Sequence, residues 1–386
     1  MASKVCDQCF EESRSHPQVD LPNDVPYLGA FYLYMTTCCN LRCQHCWITP
    51  VYRADDIPES ERISIDRLEK AIDQGKPLGL NHIKLTGGEP TLHPNFREIA
   101  KMIADKGLSA DMESNGTLIN QELADYIHQE TSIRFISISI DSFSEKKHDH
   151  FRGVKGSFRC AVDGLKNLVK VGYKPQVIMS LHRGNLKEVA DLVGFACSLG
   201  AGSVKFNPVM SSGRGRDLNK KGLTLSLKET LAFAEYLQDE LQPKNDISLI
   251  LRLPPALKRI NQFFKGGSQG CRVLNIIGIL GSGEYALCGI GRNVPELCFG
   301  LVGKDDLRDL WINHPVLNSL RQSIKIEYPG ICKDCIHTGG CLTQCVAQNY
   351  LDFGQLIHPS ALCHEAEKEG LFPKTRRRSV TGFDVS

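Results

Sequence analysis

The amino-acid sequence predicts an α/β fold: a partial, TIM-like (β/α)6 barrel followed by a small, loop-rich, cysteine-rich domain. Three observations carry that prediction. From residue 28 to about residue 210, short apolar runs alternate with amphipathic stretches, the pattern of repeated βα units around a mainly parallel sheet. Helix start and stop signals frame the amphipathic stretches. Beyond about residue 265 the periodicity weakens, and eight of the 16 cysteines fall between Cys271 and Cys363.

Six strands are expected, at 29–37, 82–86, 109–113, 134–141, 176–181 and 203–209, each a short apolar or alternating run. Helices lie between them. The 64–74 stretch has Asp66 and Glu69 near its start, 95–106 follows Pro94, and 185–199 stops before Gly200. A further helix at 226–241 opens with Ser226 and Glu229 at capping-box spacing, and a strand is expected at 247–253. The chain then divides into an N-terminal extension (1–28), the barrel (29–265), the cysteine-rich domain (266–370) and a basic tail (371–386). The third part is expected to owe its order to metal more than to an apolar core.

With 386 residues, 41% hydrophobic and 23% charged, the chain is long enough for one large domain and a smaller one. Its 46 basic and 44 acidic residues give a net charge of +2, too little for a broad field that would draw nucleic acid or a membrane surface. The run PKTRRR at 373–378 reads as a solvated tail or a contact for an acidic peptide. No apolar run approaches membrane-spanning length, and the opening MASKVCDQCFEESRSHP is too polar for a secretory signal, so a cytoplasmic location is expected. Thiols stay reduced there, and cysteines kept in number read as metal ligands or catalysts.

The first expected strand runs into CNLRCQHC, which puts Cys39, Cys43 and Cys46 on one loop where three thiolates can face an iron-sulfur cube. Three ligands leave one iron open to a small molecule. A zinc site would need a fourth ligand at finger spacing, which the neighbourhood lacks. The second strand ends in Thr86 and then Gly87, Gly88, Glu89 and Pro90, where glycines let backbone approach a ligand and Glu89 can accept from an ammonium.

The C-x3-C-x2-C spacing after the first strand, joined to GGEP one βα unit later, resembles the radical S-adenosylmethionine (SAM) superfamily over residues 29 to about 215. The resemblance implies that the open iron of a [4Fe-4S] cluster chelates SAM and that its cleavage gives a 5′-deoxyadenosyl radical. It implies cofactor contacts from GGEP, and more loosely from Asn115, Ser139, Asp141, Arg152 and Arg183, with Arg152 as a carboxylate partner.

The C-terminal cysteines resemble the SPASM extension of superfamily members that modify peptides and proteins, with C-x2-C-x5-C-x3-C intact from Cys332 to Cys345. By that resemblance Cys332, Cys335, Cys341 and Cys363 ligate one auxiliary iron-sulfur cluster, and Cys271, Cys288 and Cys345 contribute to another. The fourth ligand of the latter is either Cys298 or an open position. Zinc ribbons are the alternative, since CxxC pairs suit zinc as well. Cys160 and Cys197 are expected to be buried structural residues, and Cys6 with Cys9 either a metal or redox pair or incidental thiols.

Sulfatase-maturing relatives place an Asp directly after the cysteine corresponding to Cys288; here that residue is Gly289. The departure favours modification of a ribosomally made precursor peptide by a crosslink, a thioether or epimerisation. A flavodoxin- or ferredoxin-type electron donor is implied. The first 28 residues are too few for a winged-helix leader-binding domain, which suggests a separate leader-binding protein. Modification of a small molecule or tetrapyrrole is the enzymatic alternative, and an iron-sulfur electron carrier the non-enzymatic one.

Overall fold

The computed structural model describes residues 19–53, 55–259, 272–323 and 328–378. Strands β1 (Ala30–Tyr34), β2 (His82–Thr86), β3 (Ser109–Ser114), β4 (Ile133–Ser139), β5 (Gln176–Leu181) and β6 (Ser203–Pro208) lie side by side in chain order, all parallel. These are the six expected strands. The further strand is present too, as β7 (Ser248–Leu251), parallel to β6.

Alternation along the strands sorts the two faces. Phe31 and Leu33 of β1 and Ile83 and Leu85 of β2 are buried, while Tyr32, His82 and Lys84 between them are only half-buried. The buried set meets the helices. Helix α1 (Ile65–Gly75) starts where the Ser64 side chain accepts from Arg67 N and packs Leu68, Ala71 and Ile72 inward. Helix α2 (Phe96–Asp105) contributes Ile99, Ala100 and Ile103, and α3 (Gln121–Glu130), capped by Asn120, contributes Leu123, Ala124 and Ile127. Helices α4 (Glu145–Arg152), α5 (Ser157–Lys170), α6 (Val189–Ser198) and α7 (Leu227–Tyr236) complete the shell, the last with both bonds of the Ser226–Glu229 capping box.

Two expected helices change character at their ends. The 185–199 stretch begins as a 3-10 turn, Leu186–Glu188, and 226–241 finishes as a π turn, Leu237–Leu241. The first strand stops at Tyr34 because the chain leaves the sheet for the cysteine loop, where Cys38–Cys39 pairs in parallel with Val51–Tyr52.

The C-terminal segment carries more apolar core than its sequence pattern suggests. Strand β8 (Ile276–Ile279) lies parallel to β1 on the side opposite β2, and β9 (Glu284–Ala286) and β10 (Cys298–Leu301) extend the sheet antiparallel from it. One ten-stranded sheet therefore runs from β10 through β1 to β7. All four residues of β8 are buried, so the strand shows no alternation to read. Tyr285, Leu287, Trp311, Leu317 and Leu320 join the core of the barrel itself. Trp311 is fully buried, donates Nε1 to Pro26 O at 2.8 Å and lies under the Arg321 guanidinium. Cys160, expected to be buried, is exposed on α5 because it falls on that helix's outer face, and Cys197 is half-buried. Cys6, Cys9 and Cys271 lie outside the described residues.

Trp311→Ala should lower stability by about 3–5 kcal/mol, the usual cost of emptying a large aromatic site. Because the segment shares the barrel's core, denaturant unfolding should stay a single transition; two separate transitions would show the segment to be independent.

Candidate active site

The cysteine loop has little secondary structure of its own, so neighbouring elements hold it. Gly88 N donates to Thr36 O at 3.0 Å and Glu89 N to Cys38 O at 2.9 Å, which fastens the turn after β2 to the entry of the loop. A Cβ on Gly88 would stand 1.7 Å from Cys38 O, so this glycine serves an approach of backbone to backbone. At the other end Arg42 N and Gln44 N donate to the carbonyls of Arg152 and Phe151 at the C-terminus of α4.

Cys39 and Cys43 are buried, Cys46 is half-buried, and the three gather with Leu41 and Val154 in one cluster. Cys38, next to the first of them, points elsewhere: its thiol donates to Glu61 Oε2 at 2.6 Å. Leu41 N donates to Cys39 Sγ at 3.4 Å, Asn115 Nδ2 lies 3.9 Å from the same sulfur, and Arg152 Nη1 donates to Cys43 Sγ at 3.6 Å. Burial, and then the neighbouring thiols, push Cys39 up; burial pushes Cys43 up against the pull of Arg152. Thiolates at such positions need a cationic partner, and donors already aimed at their sulfurs suit an iron-sulfur cluster. Among the described residues no three His, Cys, Asp or Glu converge closely enough to hold a single metal ion.

Glu89 does something other than wait for an ammonium. Its carboxylate is buried and accepts from Thr91 N at 3.1 Å, Thr91 Oγ1 at 2.6 Å and Ser114 Oγ at 2.8 Å on one oxygen, and from Asn115 N at 2.7 Å on the other. Burial raises its pKa and these donors lower it, burial prevailing. Glu89 thus ties the end of β2 to the end of β3. Asn115 carries the tie onward, donating to Asn40 Oδ1 inside the cysteine loop at 2.8 Å.

Arg152 is also committed. Its Nε donates to Asp141 Oδ2 at 2.5 Å while Asp141 Oδ1 accepts from Ser180 N at 2.7 Å, so two of three guanidinium nitrogens serve Asp141 and Cys43. Burial pushes the Asp141 carboxyl up, but Arg152, His45 and His148 outweigh it and hold it at about 2. Burial in turn draws His45 down to about 3, in a stack with Phe151 and His182. Ser139 sits half-buried at the end of β4, paired with Ile178. Arg183 is on the surface, where it clamps Glu229 with two 2.7 Å bonds and reaches Gly222 O, so it braces the start of α7. Asn40, Thr91 and Ser114 escaped the sequence reading; nothing local distinguishes them.

In the C-terminal segment Cys332, Cys335, Cys341 and Cys363 line one small pocket with Tyr328, His337, Thr338 and Phe372. Burial and then the other three thiols push Cys332 up, and burial with Cys341 and Cys335 pushes Cys363 up to about 12. His337 N and Gln344 Nε2 donate to the sulfurs of Cys335 and Cys341 at 3.4 and 3.6 Å. Four thiols around one space with amide donors fit a fully ligated cluster. Cys298 packs against the cluster of Tyr34, Leu280 and Ala286 and donates Sγ to Gly291 O at 3.5 Å, while Cys288 acts electrostatically on Tyr34. Cys345 is exposed where a further helix, Val346–Phe353, begins, and the groups acting on its thiol belong to that helix. At Gly289 a Cβ would lie 2.3 Å from Tyr34 Cζ: the tyrosine fills the space a side chain there would need.

A partial barrel with three clustered thiols, two of them buried, on the loop after its first strand defines a radical-generating iron-sulfur class of enzyme. The Radical SAM superfamily profile matches residues 33–196. The AdoMet-dependent heme synthase of Nitratidesulfovibrio vulgaris is 31% identical over 348 residues, covering 85% of this chain and 90% of that protein. The antilisterial bacteriocin subtilosin biosynthesis protein AlbA of Bacillus subtilis is 28% identical over 346 residues, covering 87% and 71%. The chain belongs to the radical SAM superfamily, and with it come SAM, a [4Fe-4S] cluster and auxiliary clusters as cofactors. The crystal structure of Streptococcus suis SuiB bound to precursor peptide SuiA shares the fold, at a TM-score of 0.67 and 16% identity over 88% of this chain and 76% of that one.

Gly88→Ala should cost about 1–3 kcal/mol through forced displacement of the Cys38 backbone, and should lower iron loading at the first site more than at the four-cysteine cavity. Iron analysis with thermal unfolding checks both. Removing Arg152 should cost about 3–5 kcal/mol by leaving Asp141 buried and unpaired. Asp141 is held below its ordinary value, so the pair contributes fully above the usual carboxylate range and fades only as pH falls toward about 2. Without Arg152 the burial of Asp141 is opposed only by its remaining neighbours and its pKa rises, so the penalty of Arg152→Gln, read by urea unfolding, should shrink from about pH 7 to about pH 5 as the unpaired carboxyl takes up a proton.

Proposed function

We propose that the protein matures a ribosomally made precursor peptide, with Cys39, Cys43 and Cys46 holding the SAM-binding cluster and Cys332, Cys335, Cys341 and Cys363 an auxiliary one. Bound at the first site, the cluster would supply the electron that splits SAM and so the 5′-deoxyadenosyl radical that takes a hydrogen atom from the substrate. The chain's own residues orient. Asn115 and Arg152 donate toward the sulfurs, and the GGEP backbone fixes the loop.

The observation that carries the peptide assignment is the four-cysteine cavity in the C-terminal segment, the segment whose strands extend the barrel's sheet, an arrangement suited to taking an electron from a bound peptide radical. AlbA, by its name a bacteriocin biosynthesis protein, supports it. Gly289, with no room beside Tyr34 for a carboxylate, argues against a sulfatase maturase. The heme synthase relative favours a second reading, in which the substrate is a tetrapyrrole. Electrons would come from a flavodoxin or ferredoxin, and a separate leader-binding protein would present the peptide. A cytoplasmic site fits these partners, and among the described residues no helix is long and apolar enough to cross a membrane.

Anaerobically reconstituted protein given SAM, dithionite and the peptides encoded beside its gene should yield 5′-deoxyadenosine and a peptide altered by the loss of hydrogen or, for epimerisation, by deuterium uptake from solvent. Cys43→Ala should abolish 5′-deoxyadenosine while leaving the auxiliary absorbance. Cys332→Ala should still cleave SAM but form no product. Turnover of coproporphyrin with every peptide untouched would establish the tetrapyrrole reading instead.

A further inference from the structure

On the inner face of the barrel three cations act on one carboxylate. Strand register puts Tyr32, Lys84, Glu113, Ser139 and Lys205 on that face, and Arg252 follows β7 two residues after Ile250, the partner of Lys205. Lys84 Nζ donates to Glu113 at 2.6 Å and stands 5.4 Å from the Tyr32 ring centroid. Lys205 and Arg252 act on the same carboxylate, so three cations share Glu113. Asp111, also on this face, is turned to His82 Nε2 at 3.4 Å. Tyr34 also senses Glu113, and Lys258 senses both Arg252 and Cys341.

Lys205 is half-buried and makes no ion pair or hydrogen bond among the described residues. An ammonium withdrawn from water with only a shared carboxylate near it, and no direct bond to that carboxylate, is costly, and a site that keeps one is suited to an anion that arrives later. Its height in the barrel is informative. Ser139 pairs with Ile178 and Ile178 with Lys205, so the lysine is level with the end of β4, just inside the mouth where the cysteine loop lies.

We propose that Lys205, half-buried, and Arg252, exposed just past the edge strand of the barrel, form a carboxylate-binding subsite that receives an acidic group of the substrate. Lysine supplies a compact charge and arginine a planar fork, which together suit one carboxylate and hold it near the cofactor. The subsite rests on the peptide reading only for the source of that carboxylate, an Asp or Glu side chain or a C-terminus. A tetrapyrrole propionate offers the same chemistry.

The test uses fully reconstituted protein and fluorescein-labelled synthetic peptides encoded beside its gene. Each peptide is made in native form and with its Asp, Glu and terminal carboxylates converted to amides. Coproporphyrin III and its tetramethyl ester form a second pair. Wild type should bind a native peptide about tenfold tighter than its amide form, and Lys205→Gln or Arg252→Gln should reduce that ratio to about one. Lys205→Glu should invert it toward a peptide carrying Lys in place of the acid. Equal binding of native and amide peptides to wild type, which needs no variant to fold, would overturn the subsite. So would a ratio that persists in both glutamine variants. Binding of coproporphyrin but not its ester, lost in Lys205→Gln while no peptide binds, would keep the subsite and overturn the peptide reading.

Discussion

The site depends on close backbone contact between the turn after β2 and the entry of the cysteine loop. Three thiols can gather only if the loop is stiff, yet it makes just a short ladder between Cys38–Cys39 and Val51–Tyr52. Its rigidity is borrowed. Gly88 and Glu89 bind the carbonyls of Thr36 and Cys38, and α4 offers its last carbonyls to Arg42 and Gln44. The loop is thus held at both ends by elements that are themselves anchored in the core.

Around this frame the polar groups form two chains of contact that meet at the sulfurs. One runs from Glu89 through Asn115 to Asn40 and Cys39; the other runs from Ser180 through Asp141 and Arg152 to Cys43. Each carboxylate is buried and satisfied by several donors, so neither is at liberty to swing toward a ligand. Both act as positioning groups, and the sulfurs they address remain the reactive feature.

Much of this was legible in the sequence, for identifiable reasons. The strands β2, β3, β5 and β6 fall where alternation and β-branched runs put them, and the capping box at Ser226 marks a real helix start. Cysteine spacing marked the thiols that gather on the loop and around the C-terminal cavity, because side chains on short loops keep fixed intervals when they share one space. Strand β8 was hidden, since a run buried on both faces carries no alternation. The partners of Glu89 and Arg152 were hidden as well: Arg152 meets Cys43 across 109 positions, and no local pattern records a contact made only when the sheet assembles. For the same reason Arg183, a plausible cofactor ligand by its place after β5, proved to be a surface brace.

The seating of β8 beside β1 bears on how such a protein can be changed. A Cβ on Gly281, just past β8, would stand 2.7 Å from the Thr36 backbone, and Gly278 and Gly289 are similarly pressed against Cys288 and Tyr34. The C-terminal segment is therefore no interchangeable cassette. A chimera that grafts it onto another barrel would inherit mismatched backbones at the doorstep of the first cluster unless β8, its glycines and the facing residues of β1 travelled together. Lineages built on this plan should accordingly diversify through their loops and their inner barrel walls, with that seam passed on as one heritable block.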